Sequence, residues 1–232
     1  MDRNKGGRTV ACSAVIFDLD GTLLDTLTDI GDAANRVLDA LGYPQHCLDD
    51  YRQFVGSGVR VLFGRALPEG AADEATVTRC AERFQVEYAR HWNVATRSYD
   101  GVAEMLDQVR RRNLKMAVLS NKPDGFTKRC VEYYLAAWPL DPVLGQREGI
   151  PRKPDPAGVL EILDLWQIPP QQCLYLGDSN IDMQTATAAG VLPIGATWGF
   201  RTADELIRNG ARHLIHQPAE LIALLDRLTE IS

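Results

Sequence analysis

Hydrophobic positions change period several times along this chain. An apolar run over residues 9–17 predicts a buried strand, which stops abruptly at Asp18-Leu19-Asp20-Gly21. From Thr26 the spacing becomes helical through Leu27, Ile30, Ala34, Val37, Leu38 and Leu41, and Gly42 and Pro44 close it. Short helices are expected over residues 48–55 and 59–67, separated by Gly56-Ser57-Gly58. A longer helix carries Val77, Cys80, Ala81, Phe84 and Tyr88 on one stripe. Residues 26–95 thus read as a wholly helical insert placed straight after the first strand.

Strands and helices then alternate. Asp100-Gly101 opens a helix through Val109; strands are expected at 115–119, 142–144, 173–176, 192–196 and 213–215. Helices fall between them at 126–135, 157–166 and 181–189, and an amphipathic helix over 218–228 ends the chain. The helix at 157–166 is apolar nearly all round and is expected to be well buried. This rhythm predicts an α/β protein with a parallel sheet and right-handed crossovers.

Composition narrows the partners. The 232 residues are 45% hydrophobic and 24% charged, an ordinary soluble balance. Against 31 acidic residues stand 25 basic ones, interspersed, for a net charge of −6. That disfavours nucleic acid and anionic membranes. No apolar run nears the roughly 20 residues of a membrane span. Residues 1–8 are polar and lack a signal-peptide core, so a loose tail and a cytoplasmic protein are expected. Five scattered cysteines with no C-x-x-C pair read as free buried thiols.

Strand ends carry the candidate chemistry. Asp18 and Asp20 sit two apart on extended backbone and point the same way, so they can serve one site. Their mutual repulsion calls for a proton or a cation between them, and a hard divalent metal suits oxygen ligands. Ser120 and Asn121 follow a second strand, Lys153-Pro154 precedes a helix, and Gly177-Asp178-Ser179-Asn180-Ile181-Asp182 follows a third. In a parallel sheet all these ends face one edge. Together they can form a phosphoryl-transfer site: Asp18 as nucleophile, Asp20 as acid/base, Asp178 at a metal, Ser120 and backbone N–H groups on phosphate oxygens, and Lys153 on the developing charge. Singly, Ser120 reads as a cap, Lys153 as a surface lysine, Asp178 as a turn residue and Asp182 as a first-turn helix residue. Their joint order at strand ends outweighs those readings.

These four pieces resemble the four motifs of the haloacid dehalogenase superfamily. Ser120-Asn121-Lys122-Pro123 and Gly195-Ala196-Thr197-Trp198-Gly199 are similar to its phosphoglycolate phosphatase-like branch. The resemblance implies a Rossmann-like core of residues 9–24 and 97–232 with a helical cap, residues 25–96, inserted after the first strand. It implies a Mg²⁺-dependent phosphomonoesterase acting on a small phosphorylated metabolite, with 2-phosphoglycolate one candidate, as a monomer or homodimer. Asp18 would form the phosphoenzyme and hold Mg²⁺ through its other oxygen. Asp20 would offer its carbonyl to the metal and its side chain as acid, then base. Asp178 would complete the metal ligands, and Asp182 would support Lys153 or a metal-bound water. Gly21, Ser120, Asn121 and Lys153 would bind phosphate. At Ser98-Tyr99-Asp100-Gly101 relatives usually carry a proline before the glycine, a departure that touches only the hinge. A sugar-phosphate mutase on the same scaffold is the runner-up, and a catalytically silent binding protein the third reading. The loop at Gly56 to Gly58 with Arg60 is read either as a substrate-closing loop, Arg60 meeting a carboxylate, or as a plain turn with a solvated arginine. His46, His91, His213 and His216 show no metal-ligand spacing.

Overall fold

The computed structural model describes residues 12–230. The expected tail at 1–8 and the start of the first strand lie outside them. Within the described residues, β1 (Ala14–Phe17) and β2 (Leu24–Asp25) lead into α1 (Leu27–Ala40), α2 (Leu48–Phe54), α3 (Val59–Ala66) and α4 (Glu74–His91). There follow β3 (Arg97–Ser98), α5 (Val102–Arg111), β4 (Lys115–Pro123), α6 (Asp124–Tyr134), β5 (Leu140–Gln146) and α7 (Ala157–Trp166). The chain ends through β6 (Cys173–Gly177), α8 (Asn180–Ala189), β7 (Leu192–Ala196), α9 (Ala203–Arg208), β8 (His213–Ile215) and α10 (Glu220–Glu230).

Six strands form one parallel sheet in the order β5-β4-β1-β6-β7-β8. β1 is central and buried throughout, with Phe17 in register with Val118 on one side and Leu176 on the other. Chain order reverses at β1, so crossovers leave in opposite directions and open a crevice beyond its carboxyl end. Alternation along β1 serves both faces. Ala14 and Ile16 pack with Val159, Ile162 and Leu163 of α7 and Ala186 and Ala189 of α8. Val15 and Phe17 join the larger cluster with Met105 and Leu106 of α5, Cys130 of α6 and Leu224 of α10. That cluster continues without a break into the helices, through Ile30, Leu38, Leu62, Phe84 and Tyr88.

Four expectations need correction. Leu160 and Leu165 of α7 are exposed, so that helix buries one stripe and not its whole circumference. β4 runs four residues beyond 119, carrying Ser120 to Pro123 on extended backbone. The hinges form a two-stranded antiparallel ribbon, β2 with β3, that no apolar pattern announced. Of the five free cysteines, Cys80, Cys130 and Cys173 are buried, while Cys47 is exposed.

Candidate active site

Asp18 is the first residue past the central strand, and its N–H donates to the carbonyl of Leu176 in β6 at 2.9 Å. That bond carries the sheet one residue further and brings the turn at Asp178 alongside. Gly21 takes φ +85°, a left-handed conformation that glycine adopts without strain, and a Cβ there would collide with the Asp178 carboxylate. Gly199 meets Asp178 from the other side in the same way. Asp178 Oδ1 accepts from the Thr22 hydroxyl at 3.0 Å and Oδ2 from the Phe200 N–H at 2.7 Å, so the carboxylate is fixed in orientation.

The carboxyl oxygens of Asp18, Asp178 and Asp182 lie within 4.8 Å of one another, all three residues buried. Lys153 Nζ stands among them, 2.9 Å from Asp18 Oδ1 and 2.7 Å from Asp182 Oδ1. One ammonium cannot neutralise three carboxylates. Burial first, and the Asp182 charge second, hold the Asp18 carboxyl well above the ordinary carboxylate range. The same two causes push Asp178 up to about 7. Burial pulls Lys153 down, but Asp18 and Asp182 more than offset it, so Lys153 stays charged.

A buried, oxygen-only group with surplus negative charge fits a hard divalent cation. Asp182 is already engaged at both oxygens: Oδ1 takes Lys153 and Tyr175, and Oδ2 takes the Ser179 N–H and hydroxyl. It therefore orients Lys153 and caps α8, leaving Asp18, Asp178 and the Asp20 carbonyl as the expected metal ligands.

Asn121 positions Lys153 as well. Its Oδ1 accepts from the Lys153 N–H and its Nδ2 donates to the Lys153 carbonyl, both at 3.0 Å. The same Nδ2 reaches the Gly56 carbonyl at 3.0 Å, linking the site to the loop before α3. Ser120 is buried, and its Oγ accepts from the Lys122 N–H at 3.2 Å.

Lys122 is the site residue that sequence reasoning passed over. Its Nζ donates to Asp20 Oδ1 at 3.0 Å and to the Tyr88 hydroxyl at 2.8 Å, and lies 4.7 Å from the centre of the Tyr88 ring. A lysine directly after Ser-Asn at a strand end was the available signal. Its partner Tyr88, on α4, was read only as part of an apolar stripe.

Arg60 does not line the cavity over Asp18 and Asp20. It pairs with Glu74 and donates to the Thr78 hydroxyl at 2.9 Å, tying α3 to α4. Trp198 Nε1 donates to the Thr22 carbonyl at 3.0 Å, a packing role that steadies the turn after Gly21.

With fold and site in hand, the class is defined. Residues 15–196 match the model of the haloacid dehalogenase-like hydrolase family, and the chain belongs to that family. It is 36% identical over 190 residues to a phosphoglycolate phosphatase of Pseudomonas putida, spanning 80% of this chain and 70% of that one. A phosphoglycolate phosphatase 1 of Pseudomonas aeruginosa is 31% identical over 222 residues, 94% of this chain and 81% of its own length. A solved structure from Lactobacillus delbrueckii subsp. bulgaricus superposes with a TM-score of 0.87 at 31% identity, covering 93% of this chain and 99% of that one. No helix among the described residues is long and apolar enough to cross a membrane.

Proposed function

We propose that this chain is a Mg²⁺-dependent phosphomonoesterase that hydrolyses a small phosphorylated metabolite through a phosphoryl-Asp18 intermediate. The supporting observation is the placement of Asp18: buried at the end of the central strand, 2.9 Å from Lys153 and grouped with Asp178. The names of its relatives point the same way.

In this reading a carboxylate oxygen of Asp18 attacks phosphorus, forming the aspartyl phosphate as the bond from phosphorus to the leaving oxygen breaks. Lys153 neutralises charge that builds on the transferring group. Asp20 protonates the departing oxygen and then takes a proton from the water that cleaves the acyl phosphate. When bound, Mg²⁺ would supply the charge neutralisation that lets a carboxylate approach a phosphate dianion. Residues 25–96 form the cap, hinged at the β2–β3 ribbon.

Phosphate release from p-nitrophenyl phosphate, with and without Mg²⁺ and with excess chelator, tests the reading. Turnover is expected only with the metal, and Asp18→Asn is expected to abolish it. Mass spectrometry should place a phosphoryl adduct on Asp18. Full turnover in chelator, or an adduct on Ser120, would overturn the assignment.

A further inference from the structure

The cavity over Asp18 and Asp20 is largely apolar, with Val55, Val59, Leu62, Phe84 and Phe126 in its walls. It adjoins a second cleft of about 210 Å³, and Gly58, Gln85 and Asn121 line both. The space over Asp18 therefore continues past Gly58. Arg152 lines that outer cleft and is absent from the lining of the inner cavity.

Arg152 sits in the loop between β5 and α7, directly before Lys153. Lys153 turns inward to Asp18 and Asp182, whereas Arg152 turns to the helical segment. Its Nη1 lies 2.9 Å from the point that a Cβ on Gly58 would occupy, and Gly58 takes φ +90°, so no side chain bars the guanidinium there. Among the described residues the Arg152 side chain has no hydrogen-bond or ion-pair partner, and Glu82, the one carboxylate of the cleft lining, leaves it unpaired. The neighbouring cations are engaged: Lys122 by Asp20, Lys153 by Asp18 and Asp182, and Arg60 by Glu74. Arg201 is buried with Nη1 unpartnered, but it lines neither space, and its Nη2 holds the Val55 carbonyl at 2.9 Å.

Resting on the phosphatase reading above, we infer that the leaving group of the preferred ester carries a second anionic group, which Arg152 binds in the cleft beyond Gly58. The carbon body between the two charges lies against the apolar walls. A guanidinium offers paired N–H donors to a carboxylate or a phosphate. The phosphate being cleaved is common to every ester, so Arg152 chooses among leaving groups by placing one counter-charge at a set reach from phosphorus. A carboxylate one carbon from the ester oxygen stays by the inner cavity, where the lining cation, Lys122, is already held by Asp20.

The test measures kcat/KM, with Mg²⁺, for 2-phosphoglycolate, 4-phosphobutyrate and 6-phosphohexanoate, each against its own carboxamide. The carboxylate-to-carboxamide ratio should rise from 2-phosphoglycolate to the longer spacers and reach about fivefold at the better of them, the scale of a partly exposed ion pair. Arg152→Met should bring that ratio to about one; being a ratio on one preparation, it does not depend on the fraction folded. A ratio of one throughout in the unmodified protein overturns the inference. A ratio largest for 2-phosphoglycolate overturns it as well. So does a preference that survives Arg152→Met, the carboxylate then being read by the first-turn N–H groups of α3. Each of these leaves the phosphatase reading standing. Release from none of these esters overturns the inference too, and with p-nitrophenyl phosphate also inert it overturns the phosphatase reading.

Discussion

Asp18 and Asp20 stand two positions apart in sequence, yet they face opposite demands. Asp18 is pressed among carboxylates with one lysine, whereas the Asp20 carboxylate is held by Lys122, which also donates to the Tyr88 hydroxyl. In the proposed acid/base role Asp20 must be held in line with the departing oxygen, because a displacement of about 1 Å can cost about 10²-fold. Lys122 supplies that restraint from β4. Lys122→Met is therefore expected to lower kcat by about 10- to 100-fold with a small change in KM, and Tyr88→Phe to lower it less. Steady-state kinetics on one aryl phosphate measures both. Wild-type kcat in Lys122→Met would remove Lys122 from the machinery.

At the scale of elements, the helical segment is tied to the sheet by a few polar contacts as well as by packing. Asp29, buried in the first turn of α1, accepts from the N–H groups of Ala95 and Thr96, both at 2.9 Å, and from the Thr96 hydroxyl at 2.7 Å. It thereby clamps the chain's return from α4 onto the helix that leaves the sheet, next to the β2–β3 ribbon. Asp29→Ala strands two donors at Thr96 in a buried place and is expected to cost about 2–3 kcal/mol. Urea unfolding should show a lower midpoint with an unchanged slope. A midpoint shift below about 0.5 kcal/mol would mean that water replaces the carboxylate there.

For the whole molecule, the surplus negative charge at the site links stability to pH and to metal. Folded Asp178 keeps its proton up to about pH 7, against an ordinary value of 3.8. Between those values the folded chain holds a proton that the unfolded chain has released, so stability falls as pH rises through the window and levels off above about 7. Asp18, raised for the same reasons, acts in the same direction. The Tm of the metal-free protein should drop between about pH 5 and about pH 8 from this site. Mg²⁺ should raise Tm more at the upper end, where the carboxylates are free to bind it. A Mg²⁺ shift that is larger at about pH 5 would contradict the charge argument.

Much of this molecule follows from local pattern alone. Helix and strand periods, with glycine and proline punctuation, suffice for nearly every element, because an amphipathic segment declares its own period. Thr202-Ala203-Asp204-Glu205 carried a capping signal for α9, and Thr202 does accept from the Glu205 N–H there, but the helix is too short for periodicity to reveal it. The β2–β3 ribbon was illegible for a stronger reason: two-residue strands have no period, and they exist only because the chain leaves and re-enters the sheet at neighbouring points. Asp18, Asp20, Asp178 and Lys153 could be read as candidates, since the three aspartates follow strand ends and Lys153 lies in the loop between a strand and a helix, in an order that parallel topology must gather at one edge. What they touch is another matter. That Lys122 takes Asp20, that Arg60 turns to Glu74, and that Leu160 and Leu165 of α7 face outward depend on distances between segments far apart in the chain. Sequence specifies the period and chemistry of each segment, but side-chain partners are settled by competition among all groups within reach, and only the packed structure establishes which groups those are.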